Sequence, residues 1–277
     1  MLKAAFIGNE NFFDRFICEW LSEHTDLQLI LWTNRLSWSS GGGGRGDRAR
    51  RVLRRFVSRG RRRGAPRVLN EALYYLLYRR FLQGGEVAKL KRLVGSAEHH
   101  PRKPLSAIEQ ARVEDIRAPE LSEGIHALGL DAMFATCIDV YLPEALIGAP
   151  RQGTFLWHEG ITPEYRGVYS PFWALVNRDY ERLGYTLLKM NARFDAGDIY
   201  VQGKVRDIDL ARDWHSFIGH KAIFDSLPEV LDFLGKLERG EHRPLVRRNA
   251  PDGYYSYPTA TGLLSILGDR LSGRARR

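Results

Sequence analysis

The strongest constraint on the fold is an alternation of short apolar runs with segments of helical periodicity. Lys3 to Gly8 (KAAFIG) reads as a buried strand that stops at a glycine, and Phe12, Phe16, Ile17, Trp20 and Leu21 follow at the spacing of one helix face. Leu27 to Thr33, Val113 to Ile116, Ala132 to Cys137, Gly153 to Trp157 and Tyr185 to Met190 continue the strand series. Helices are expected between them at about Pro119 to Leu128 and Ser170 to Asn177. Strand-helix alternation of this kind predicts an α/β fold, a mainly parallel sheet with helices on both faces.

The alternation breaks once. Ser37 to Gly44 is a Ser/Gly run that must be loop, and from Arg48 to about Leu82 the pattern turns helical, first arginine-rich and then apolar. A basic helical insertion at about 37–100 is therefore expected inside a main domain of residues 1–205. Residues 206–277 form a C-terminal helical extension in this reading, with helices at Trp214 to Phe224 and Leu227 to Gly240 and an aromatic tail at 254–258. The aromatic residues of this region are expected to pack helices onto the sheet. His99 and His100, beside Pro101 in a polar stretch, are expected in solvent.

Charge is as uneven as pattern. Eleven arginines stand between Gly41 and Asn70 against Asp47 alone, so that stretch carries +10 and the rest of the chain about −1 of the formal charge of +9. Clustered cations gain free energy by releasing counterions from phosphates, which keeps nucleic acid and nucleotide-linked molecules open as partners; a solvated helix face is the plainer reading. Gly41 to Gly44 lacks the Gly-Lys-Ser/Thr ending and the strand-to-helix setting of a phosphate loop. The two cysteines, Cys18 and Cys137, give neither a CxxC pair nor a disulfide framework, and no metal is expected. The first apolar run meets Gly8 too soon for a secretion signal, and no stretch approaches the roughly 20 apolar residues of a membrane span. A cytoplasmic protein with no membrane partner is expected; oligomeric state is not legible.

The chemistry concentrates between Pro150 and Gln202. A strand ends at His158 and runs into Gly160, Pro163, Tyr165, Arg166 and Gly167; a helix with Ala174 and Leu175 follows, then Gly184 and Thr186 on a strand, then Asp195, Gly197 and Asp198. In that order and spacing these residues resemble the formyltransferase family, which uses N10-formyltetrahydrofolate as its one-carbon donor. Asp131 to Pro143, ending in Leu-Pro, is similar to the family's strand and folate-holding loop. The resemblance covers roughly Val113 to Gln202, is weak at Lys3 to Leu21, and is absent from Gly41 to Gly85. It implies a Rossmann-like domain and catalytic roles for His158, as general base and oxyanion donor, and for Asp195, as the group that orients it. It further implies that Val140, Tyr141, Leu142, Ile147, Ala192, Arg193 and Phe194 hold the donor.

The residues themselves are consistent with that implication. Formyl transfer to an amine passes through a tetrahedral intermediate, so a site needs donors for the developing oxyanion and a group that relays the amine proton. An imidazole serves both near neutral pH, and a carboxylate beside it stabilises the imidazolium. One position departs from the family: its catalytic Asn, two residues before the His, is here Leu156. Residues 154, 156 and 158 share a strand face, so an isobutyl group stands where an amide would, and Thr154 lies about 7 Å further back. Loss of one oxyanion donor typically costs on the order of a hundred- to a thousand-fold in rate. Transfer to the amine of a small acceptor, an amino sugar or a natural-product intermediate, is the leading expectation. The alternatives are a methionyl-tRNA acceptor, hydrolysis of the formyl donor, and a binding protein that has lost catalysis through Leu156.

Overall fold

The computed structural model describes residues 1–33, 64–136, 141–247 and 250–274. The expected Arg45 to Arg63 segment of the insertion, Cys137 and Val140 lie outside them. The chain opens with β1 (Lys3–Asn9), α1 (Phe12–His24) and β2 (Asp26–Thr33), and resumes with α2 (Ala65–Phe81) and α3 (Gln83–Gly95). Then follow β3 (Glu109–Val113), α4 (Pro119–Ala127), β4 (Ala132–Thr136), α5 (Glu144–Ile147), β5 (Thr154–His158), the two-residue β6 (Arg166–Gly167) and α6 (Ser170–Val176). The last elements are β7 (Gly184–Lys189), β8 (Ile199–Lys204), α7 (His215–Asp225), α8 (Leu227–Glu238), β9 (Tyr254–Tyr255) and α9 (Ala260–Leu271).

The main sheet has the order β3-β2-β1-β4-β5-β7-β8. It is parallel from β3 through β5 and antiparallel across β5-β7 and β7-β8. This is the expected α/β, mainly parallel architecture. Side chains alternate across β5: Phe155 and Trp157 join the core under α1, α7 and α8, whereas Leu156 joins the opposite core with Ile147, Leu142 and Leu188. A third apolar cluster ties α2, α6, α7 and α9 together around Phe172, Tyr74 and Ile218.

Several expectations shift. The strand expected at Val113 to Ile116 lies earlier, at Glu109–Val113, because residues 114–117 turn into the Pro119 start of α4. Its sequence EQARV is almost wholly exposed, so an apolar criterion could not see it. Edge strand β8 was hidden in the same way, by alternating half-buried polar residues. Beyond Leu82 the insertion continues as α3 in spite of Gly84 and Gly85, since Leu90 and Glu86 are buried against the domain. His99 is not in solvent: it packs edge-on against Phe16 and pairs with Glu19 at 2.8 Å, while His100 is exposed. Helix α9, which the sequence reading did not single out beyond the aromatic tail, buries Leu263 and Ile266. Cys18 is a buried free thiol whose pKa burial pushes up.

Candidate active site

His158 ends β5, at the seam where the sheet changes from parallel to antiparallel, and is 6% exposed. Its Nε2 lies 2.7 Å from the carbonyl oxygen of Tyr165 and 3.1 Å from the Ser170 hydroxyl. A carbonyl oxygen only accepts, so Nε2 carries the proton and Nδ1 presents its lone pair. That Nδ1 faces the Asp195 carboxylate, with Oδ2 at 3.9 Å. The separation is too long for a direct hydrogen bond. The structure thus brings His158 and Asp195 to one pocket.

The surrounding motif residues earn their places by geometry. A Cβ on Gly160 would stand 2.5 Å from the Ser170 Cβ and 2.9 Å from His158 Nε2, so a side chain there would dislodge the groups that fix the imidazole. The Thr186 hydroxyl donates to the Gly160 carbonyl at 2.6 Å and receives Thr162 N–H and Gln202 Nε2, which anchors the loop leaving His158 to β7 and β8. Asp195 is held in the left-handed region, φ 48°, with Oδ2 accepting from the Gly167 N–H at 2.7 Å. Gly167 sits at φ 95°, and a Cβ there would strike the Tyr255 carbonyl oxygen at 2.1 Å.

A segment of the C-terminal region fastens this loop from outside. β6 and β9 pair in parallel, the Arg166 N–H reaches the Gly253 carbonyl, and the Gly253 N–H reaches that of Pro163. The Arg166 guanidinium forks onto Asp252 at 2.7 and 2.9 Å and touches the Phe194 carbonyl at 3.3 Å. Tyr165 stacks on Tyr255 with ring centres 5.0 Å apart. Ser170, Tyr165, Thr186 and the 252–255 segment all position the site, yet sequence reasoning gave them no such role. Only Tyr165 and Thr186 carried a signal, as motif members.

Two cavities meet here. A small one, about 30 Å³, is lined by Tyr141, Leu142, Ile147, Leu156, Leu188, Arg193, Phe194 and Asp195, so most residues expected to hold the donor do gather. Ala192 is not among its walls but accepts the Tyr141 hydroxyl at 3.4 Å, and the Tyr141 and Phe194 rings meet edge-on across the rim. That volume is of the size of a water or two. A bicyclic ring would enter only by displacing Tyr141 and Phe194, both exposed at the mouth. Leu156, 7% exposed, lies with its isobutyl group in this apolar wall, and the Thr154 hydroxyl is spent on the Ile147 carbonyl at 2.8 Å. The second cavity, about 910 Å³, shares Leu156, Phe194 and Asp195 with the first and adds His158. Its far-reaching walls come from α2, α3 and the start of α7, including Tyr74, Tyr78, Glu86 and His215.

Known proteins resemble this chain in sequence and in fold. Residues 86–213 match the family model described as formyl transferase. A methionyl-tRNA formyltransferase of Ehrlichia chaffeensis is 29% identical over 140 residues, 48% of this chain and 42% of that protein. This chain thus spans less than half the length of such curated relatives. Among solved structures, a sugar N-formyltransferase from a Shewanella species aligns with a TM-score of 0.55 at 11% identity, over 96% of this chain and 87% of that one. A glycinamide ribonucleotide transformylase from Symbiobacterium toebii aligns with a TM-score of 0.52 at 11% identity, over 90% and 92%. At these identities the two likenesses show a shared fold. Fold, motif order and family match agree on residues 86–213, a little under half of the chain, which match the formyl transferase domain.

Proposed function

We propose that the protein transfers a formyl group from N10-formyltetrahydrofolate to the amine of a small-molecule acceptor. The observation that carries this reading is the junction of the two cavities at Asp195, Leu156 and Phe194, with the His158 Nδ1 lone pair facing the same carboxylate. A two-substrate transfer needs such a meeting point between a donor-side and an acceptor-side chamber.

On this reading the acceptor amine attacks the formyl carbon, giving a tetrahedral intermediate with one negative oxygen and a positive nitrogen. Nδ1 of His158 takes the proton from that nitrogen, and Asp195 stabilises the resulting imidazolium. Collapse breaks the bond to N10 of the folate, and the imidazolium returns the proton to that leaving nitrogen. The products are the formamide and tetrahydrofolate, and the histidine is restored. The protonated Nε2 is committed to Tyr165 and Ser170, so the oxyanion receives no help from it and none from Leu156. The reading therefore implies slow turnover.

A transfer RNA acceptor is the second reading, favoured by the methionyl-tRNA formyltransferase relatives and by the arginine-rich sequence before Asn70. Incubation with N10-formyltetrahydrofolate, an amine panel and methionyl-tRNA, following tetrahydrofolate and formylated product by mass, separates the readings. Tetrahydrofolate released without any formylated amine would identify hydrolysis, and no consumption of donor would leave a binding protein.

A further inference from the structure

Helix α2 turns Val68, Glu71 and Tyr74 inward and leaves an apolar stripe outside. Leu69, Leu73 and Leu76 recur at the i, i+4, i+7 spacing of one helix face, and Leu69 and Leu76 are 63% and 64% exposed. Arg79 and Arg80 close the stripe, and Phe81, 69% exposed, ends the helix with the Arg80 guanidinium 5.3 Å from its ring centre. Helix α9 packs beside α2, tied to it by the paired hydrogen bonds of Asn70 with Thr261, and adds exposed Leu264 and Leu271. The only carboxylates on these two helices, Glu71 and Asp269, are buried and paired with Arg67 and Arg178. The outward surface thus combines exposed leucines with arginines and carries no negative charge. Single exposed leucines are ordinary, whereas a helical series of them marks a contact face.

We propose that this face docks on an anionic lipid surface, with the leucines among the acyl chains and Arg79 and Arg80 among the headgroups. Such a surface answers both halves of the face: hydrocarbon takes the leucines, and negative headgroups attract the cations. A second copy of the chain would offer leucines but no negative charge for the arginines. Nucleic acid would meet the arginines and leave the leucines in water. The sequence leading into α2 holds ten further arginines between residues 45 and 63 against Asp47 alone, joined covalently to the same helix. Those cations add attraction at a distance, while the docking face itself lies wholly in described residues. The expectation of no membrane partner rests on the lack of a spanning segment, and a helix lying in the interface needs none. Docking is independent of the formyl-transfer reading, for Leu69, Leu73 and Leu76 line neither cavity.

The test is sedimentation of the full chain with lipid vesicles. Binding is expected to vesicles of mixed phosphatidylcholine and phosphatidylserine, and should be weaker by roughly 10-fold or more on phosphatidylcholine alone. Combining Leu69→Gln, Leu73→Gln and Leu76→Gln, which keeps helix propensity, is expected to weaken binding to the mixed vesicles by roughly 10- to 100-fold. Arg79→Gln with Arg80→Gln should lower it by roughly 5-fold for each cation removed. Leu231→Gln, at an exposed position of α8, should bind like wild type. These are surface substitutions, so melting temperatures should stay near that of wild type. A wild type that ignores the mixed vesicles, or binds both kinds equally, would overturn the proposal. So would a leucine variant that binds like wild type, which would assign the binding to the arginine-rich sequence alone. If the leucine variant melts lower, the arginine pair decides, and its binding equally to wild type overturns the proposal. A dimer in solution that the leucine variant dissolves, in a chain that ignores vesicles, would identify a second copy as the occupant instead.

Discussion

At the scale of single residues, Leu156 and His215 carry the clearest consequences. Leu156→Asn places an amide beside His158 on the same strand face, where a preorganised donor would stabilise the oxyanion more than the ground state. Turnover for formyl transfer is expected to rise, with the gain in kcat, while the amide among Ile147, Leu142 and Leu188 costs about 1 to 3 kcal/mol of stability. Parallel kinetics and melting of variant and wild type check both; a slower variant of an active wild type would show a pocket rebuilt around leucine. His215 predicts a pH effect of definite sign. Its folded-state pKa, lowered to about 3 by burial, lies below the ordinary 6.5, so below pH 6.5 the unfolded chain binds the extra proton. Stability is then expected to fall on acidification from 6.5 toward 3, by at most about 1.4 kcal/mol per pH unit, with no contribution above neutrality. Glu86, whose carboxyl burial pushes up, acts in the opposite direction. The difference in melting between wild type and His215→Gln isolates the histidine and should shrink as pH falls.

Residues also show what sequence could and could not reveal. His158 and Asp195 were legible because both sit in a motif whose order survives without knowledge of contacts. His215 was not: it reads as one polar residue in a helix, and only the fold shows that its partner, Tyr74, is 141 positions earlier. Ser170 was read merely as a helix start, although its hydroxyl helps fix the tautomer of His158.

At the scale of elements, the two helices ahead of β3 are structural members of the domain. Glu86 on α3 supplies the carboxylate that accepts the first-turn Phe217 N–H of α7, a helix whose preceding residue, Trp214, provides no cap. Glu86→Ala is expected to cost about 1 to 2 kcal/mol, seen as a lower denaturant midpoint, because it removes both that cap and the partner of Tyr78. Glu86→Gln keeps an acceptor and no longer buries a carboxyl, so its midpoint should stay near wild type at pH 7. Equal losses for both would show that the charge, rather than the cap, matters. Buried strands β1, β4 and β5 were readable from their apolar runs, whereas β3 and β8 were misplaced or missed. Edge strands present polar side chains to water, and their pairing is a property of their neighbours.

At the scale of the whole molecule, the uneven charge makes a prediction about the two acceptor readings. The arginine-rich stretch lies outside the described residues for most of its length, and its effect is measured in solution. Any binding of transfer RNA that neutralises six to ten phosphates should weaken by about 10³- to 10⁵-fold between 50 and 200 mM salt. Formyl transfer to a small amine that carries no phosphate should change little over that range. A steep salt response of the small-amine reaction would place cations in direct contact with that substrate. Among the described residues no helix is long and apolar enough to cross a membrane.

The parallel pairing of β6 with β9 imposes an order in time. The sheet, His158 and Asp195 are all encoded before residue 205, but the loop between them is fastened through Asp252, Gly253 and Tyr255. A growing chain can therefore close its sheet early and still hold that loop unfastened until residues 252–255 have been made. Closure of the candidate pocket is thus a late event of synthesis rather than an early one, and any nascent chain arrested before Tyr255 should hold its sheet with that loop still unfastened.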